Sequence, residues 1–164
     1  MSAAETAQKL LRETFPPAAD LRRDELLFQL YRTSEDATAM ASAFHGRPWT
    51  GLGLRELFEH REMLPTLSPE GFSAIGPAYL DALLSDSPDA VAVRGDLQDY
   101  LLACLMPWPH QKEDVAELTA QRLRVLSDRQ REAIGVALDV LAARGSTDAA
   151  TVLKTWRGTS PFAD

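Results

Sequence analysis

Apolar positions along this chain recur every three or four residues almost from end to end, the spacing of helices packed against a core. Ala3, Ala7, Leu10, Leu11 and Thr14 fall on one face of a first helix, which Pro16 and Pro17 stop. Asp24 to Tyr31 is apolar-rich and predicts a short helix. Ser34 is placed to cap a helix with Glu35 and Asp36 in its first turn, where the helix dipole favours acids. Its inner face is Ala37, Met40, Ala41 and Phe44, and Gly46 ends it.

A loop from Arg47 to Gly53 leads to a short helix marked by Leu54, Leu57 and Phe58. Ser68-Pro69-Glu70 reads as a cap with proline at the first helical position. Phe72, Ile75, Tyr79 and Leu83 then share a face, and Gly76-Pro77 predicts a kink or two abutting helices. The acidic loop from Ser85 to Asp89 ends that segment. Leu97, Tyr100, Leu101, Cys104 and Leu105 form the next stripe, stopped by Pro107 and Pro109, and Glu113 to Leu126 predicts another helix. Ser127-Asp128-Arg129-Gln130 is a capping-box pattern. The helix it opens carries Ile134, Leu138 and Leu141 flanked by Val136 and Val140, which predicts the central, most buried helix. Gly145 stops it. Thr147 is expected to cap a last helix that turns Ala149, Val152, Leu153 and Trp156 inward.

Composition agrees with the periodicity. Leu and Ala number 24 each, against nine Ile and Val together, and strands need the β-branched residues that are scarce here. The fold class expected is all-α, a single-domain bundle of about seven to nine short helices over residues 1–157, with 158–164 a frayed tail. The 164 residues suit one core, and no repeat or linker divides them. There is no Asn, and 14 of the 17 basic residues are Arg, the bias of a GC-rich bacterial genome. No apolar run approaches the roughly 20 residues of a membrane span. The N-terminus lacks the pattern of a secretory signal, and the single cysteine excludes an intrachain disulfide, so the cytoplasm is the expected compartment.

The net charge of −7 is localised: residues 1–33 and 100–164 are each neutral, so the whole excess lies between Ser34 and Asp99. Such a balance disfavours a nucleic-acid partner and favours a basic protein. Asp81, Asp86, Asp89, Asp96 and Asp99 make the densest acidic stretch. Its alternatives are a solvated face or a surface that receives Lys and Arg side chains. Trp108, between two prolines, is the tryptophan placed to anchor a partner.

Reactive constellations are not found. His45, His60 and His110 are far apart, and Glu56 and His60 at i, i+4 supply at most two metal ligands. Cys104 lies on an apolar stripe, as a core residue does. Gly51-Leu52-Gly53 lacks the third glycine and the strand of a dinucleotide fingerprint. No catalytic, cofactor-binding or metal residues are assigned, and no cofactor is expected.

The central segment resembles a family of uncharacterised bacterial proteins. The resemblance is carried by Phe44-His45-Gly46-Arg47-Pro48-Trp49, by Leu67-Ser68-Pro69-Glu70-Gly71-Phe72 with Pro77-Ala78-Tyr79-Leu80, and by Leu126-Ser127-Asp128-Arg129-Gln130. The family's signature is Phe-x-Gly-x-x-Trp, then Leu-Ser-Pro-Glu-Ala-Phe-Arg-Tyr-Tyr-Leu-Pro-Ala-Tyr-Leu. Here Gly71 stands for its Ala, and Ser73-Ala74-Ile75 for its Arg-Tyr-Tyr. The resemblance implies a helical fold and no particular chemistry. The function expected is a non-catalytic protein-binding protein, concretely an immunity-type inhibitor of a basic partner or toxin. The alternatives are an enzyme or small-ligand binder whose site is assembled only by the fold, and a subunit that self-associates through an exposed helix face.

Overall fold

Capping by short polar side chains sets where the helices begin. The structure, a computed structural model, describes residues 1–17 and 20–158, so most of the tail expected to fray, 159–164, lies outside the described residues. Among the described residues there are eight α-helices and no strand. They are α1 (Ala3–Thr14), α2 (Glu35–Phe44), α3 (Leu54–Glu59), α4 (Pro69–Leu84), α5 (Pro88–Leu102), α6 (Glu113–Arg124), α7 (Asp128–Ala143) and α8 (Thr147–Arg157). Four 3-10 segments join them: Arg23–Leu26, Gln29–Tyr31, Trp49–Gly51 and Arg61–Thr66. Ser2, Ser34, Ser68, Ser87, Ser127 and Ser146 each accept a backbone N–H of the first turn they open. Ser127 and Gln130 form the expected reciprocal capping box. The cap of α8 is Ser146, with Thr147 its first helical residue, one position off the expectation.

The fold is an all-α bundle around one core. Its hub is α4, which packs on α1, α3, α5, α6 and α7. Ten of the sixteen residues of α4 are buried. The sequence pattern favours α7 for that place, but α7 is sided: Glu132 and Asp139 face solvent while Ala133, Ile134, Ala137, Leu138 and Leu141 are buried. No charged residue falls between Glu70 and Asp81 in α4, so it can be covered all round. Gly76-Pro77 does not split it; it runs as one helix. Gly76 leaves room for the Phe72 ring, whose Cε2 would lie 2.9 Å from an added Cβ. In α1 the buried face is Ala4, Ala7 and Leu11, with Ala3 exposed rather than inward.

Residues 24–31 depart furthest from their predicted helix. They form two 3-10 turns separated by an extended Leu27, which makes an isolated antiparallel bridge to Leu67. Phe28 N–H donates to Thr66 O and Ser68 N–H to Leu26 O, each at 3.0 Å. The Ser68 hydroxyl, besides capping α4, donates to Glu25 O. This pairing presses Leu26 onto the start of α4. A Cβ on Gly71 would lie 2.0 Å from Leu26 O, so only glycine fits there. Tertiary hydrogen bonds thus override the helical spacing of the segment.

Candidate functional site

The acidic stretch is divided by the fold between α4, the loop after it and α5. Asp81, on α4, is half-buried and pairs with Arg12 of α1 at 3.3 Å. Burial raises its carboxyl above the usual range, against the lowering effect of Arg12. Asp86 lies between two arginines, Arg144 at 3.1 Å and Arg94 at 3.5 Å. These two carboxylates face internal cations, which spend part of their charge on the fold. Asp89, Asp96 and Asp99 are exposed and make no ion pair among the described residues. At 100° per residue they lie within one face of α5. Asp89 sits in the first turn, where it also complements the helix dipole.

Trp108 is half-buried, with its ring fixed by an indole N–H donated to Leu102 O at 3.0 Å. Gln111 braces the same turn, accepting from Trp108 N–H and donating to Ala103 O. The ring forms a wall of a cleft of about 230 Å³, lined by Asp99, Leu102, Ala103, His110 and Asp148. The imidazole of His110 lies 6.2 Å from the indole, tilted by 34°. Of the expected partner-binding residues, the fold therefore brings Asp99 and Trp108 together. It adds His110, two residues from Trp108 along the chain, and Asp148, which neither spacing nor periodicity could have joined to them.

The other candidates have structural partners. Glu56 is held in a two-pronged ion pair by Arg47, at 2.6 and 2.9 Å, and also accepts Gly53 N–H. Chiefly through the Arg47 bonds, its carboxyl is lowered to about 2. Arg47 further donates to Ala43 O and Gly51 O, so this clamp shapes the loop that Gly46 opens at φ 72°. His60 meets the Phe44 ring edge-on at 5.3 Å. Among the described residues, no three His, Cys, Asp or Glu are grouped to hold a metal. Cys104 is fully buried; its thiol donates to Tyr100 O, and burial pushes its pKa up. Trp49 donates to Phe15 O, Trp156 to Leu105 O, and the Tyr79 hydroxyl to Leu57 O.

A second cavity, about 380 Å³, lies between Phe15, Pro16, Leu21, the first turns of α4, Val125 and Gln130. Val125 is 59% exposed at its rim. Among the described residues, Glu70 is the one titratable residue lining it, so it offers apolar surface rather than acid–base pairs.

One residue of consequence escaped the sequence reading. Arg122, on α6, is 1% exposed. Its guanidinium donates to Pro65 O at 2.8 Å, to Leu67 O from two nitrogens at 3.1 and 3.2 Å, and to Cys104 O at 3.4 Å. Phe28 and Phe72 face it, with ring centroids at 5.5 and 5.8 Å. Burial lowers its pKa, but an arginine stays charged. Thr119, Arg122 and Leu123 share the inner face of α6 at i, i+3, i+4, which was the available signal.

The class of protein these features define is an all-α bundle bearing an acidic surface and an aromatic cleft. Comparison with family models, with curated proteins and with solved structures gives no match. Among the described residues, no helix is long and apolar enough to cross a membrane.

Proposed function

We propose that this chain is a non-catalytic protein-binding protein that occludes a basic partner, in the manner of an immunity protein against a cognate toxin. One observation carries the reading: Asp89, Asp96 and Asp99 lie on one face of α5, exposed and without a paired cation among the described residues. They belong to the segment that holds the whole charge excess of the chain. A like-signed face of this kind speeds encounter with a basic surface and selects against acidic ones. The expected compartment of that encounter is the cytoplasm.

Co-expression with the products of neighbouring genes tests this reading. The expected result is a one-to-one complex with a basic protein. Its association should slow with added salt and slow further in the D89N/D96N variant. A chain that stays alone beside all its neighbours counts against the proposal, as does a complex indifferent to both salt and the substitutions.

A second reading, a small-ligand binder, is favoured by the apolar cavity beside Val125, whose size falls in the range of ligand pockets. It makes no use of the acidic face.

A further inference from the structure

We propose that the cleft formed by Asp99, Trp108, His110 and Asp148 receives an arginine side chain of a protein partner. The inference rests on the reading of this chain as a binder of basic proteins, and it names the pocket in which one residue of that partner is seated. Four features of the cleft favour a planar cation. Its walls include two aromatic rings, the indole of Trp108 and the imidazole of His110. The indole N–H is already spent on Leu102 O, so the ring is locked and its face, rather than its polar edge, remains for a ligand. Two carboxylates from different helices, Asp99 near the end of α5 and Asp148 in the first turn of α8, line the same space. Neither makes an ion pair among the described residues, in contrast to Asp81 and Asp86. The third feature is position: the cleft lies between the C-terminal end of α5, whose dipole favours a cation, and the first turn of α8, whose opposite dipole end is offset by its own Asp148. The fourth is size. About 230 Å³ is below the range of drug-sized ligand pockets and suits a single side chain.

Arginine is preferred to lysine because a guanidinium stacks on an aromatic face while its edge bonds carboxylates. The cleft continues the acidic face of α5, since Asp99 belongs to both. A basic partner steered by Asp89 and Asp96 therefore arrives beside it. The aromatic wall then supplies the short-range contact that exposed carboxylates lack.

The probe is N-acetyl-arginine methylamide, titrated into the full chain labelled with nitrogen-15, with the citrulline analogue as an uncharged isostere. The expected result is a saturable shift of the Trp108 indole N–H signal with the arginine probe and none with citrulline. Affinity should fall about tenfold in the D99N/D148N variant, the loss of one charge-assisted contact or more. Both substitutions lie at exposed positions, so folding is preserved and the other two indole signals serve as the check. Equal shifts with citrulline, an unchanged affinity in D99N/D148N, or no shift at millimolar probe overturns the inference. Asp148 lies outside the face used for the proposed function. If a basic partner binds D148N as tightly as the parent chain but loses affinity for D89N/D96N, the cleft inference fails while the broader reading stands. Loss of affinity for D148N supports the cleft.

Discussion

Among the described residues, Arg122 is a cation buried without a carboxylate partner, and carbonyl dipoles and ring faces surround its charge. Its acceptors are Pro65 O and Leu67 O, at the entry to α4, and Cys104 O, just after α5. One side chain on α6 thus ties together segments 55 or more residues away and 18 residues away. Replacing it with methionine keeps the apolar stem but leaves those carbonyls short of donors. Each buried polar group so orphaned costs about 1–3 kcal/mol, partly offset by relief of the desolvation of the charge. Arg122→Met should therefore lower unfolding stability by about 3 kcal/mol in urea titrations. A loss under about 1 kcal/mol would show that the carbonyls find other partners. Gly71 is the complementary case: its role is to have no side chain, so that Leu26 O can approach.

At the scale of elements, helices were legible where local chemistry and packing agree. The serines that begin α2, α4 and α7 and the buried stripe Ala37, Met40, Ala41, Phe44 follow from spacing alone. Residues 24–31 were not legible, because Leu27 pairs with Leu67, forty residues on, and nothing local announces that bridge. The candidate site divides in the same way. Asp99 and Trp108 carry a local signal of charge and aromaticity, whereas Asp148 joins them only through the packing of α8 on α5. The loop between α2 and α3 offers a test by pH. Glu56 has its carboxyl depressed from 4.5 to about 2 by Arg47 and Gly53 N–H. A depressed carboxylate stabilises the fold above its unfolded value, and this contribution is lost as pH falls through the folded one. The parent chain should therefore exceed Glu56→Gln in stability near neutral pH, by less than about 1 kcal/mol since the pair is partly exposed. The gap should close as pH drops from 4.5 toward 2. Urea midpoints of the two proteins across that interval provide the measurement, and a constant gap would exclude the ion pair as its source.

For the molecule as a whole, the core is one continuous cluster from Ala4 to Leu153. Each indole is tied to a backbone carbonyl: Trp49 to Phe15 at the end of α1, and Trp108 and Trp156 to Leu102 and Leu105, within one turn at the end of α5. Asp89, Asp96 and Asp99 stand on the surface of this cluster and make no ion pair among the described residues, Asp89 adding only its first-turn complement to the dipole of α5. That separation is why charge-removing substitutions on α5 can probe association without disturbing the fold.

Because Cys104 is the sole cysteine and lies wholly inside the bundle, the protein carries its own stopwatch. A colourless disulfide reagent that releases a dye on reaction can reach the sulfur only when the helices around it part. Under native conditions the colour should develop at a pace set by that parting, and it should become rapid once urea has opened the chain. Immediate colour without denaturant would mean that solvent reaches the sulfur through local fluctuations alone.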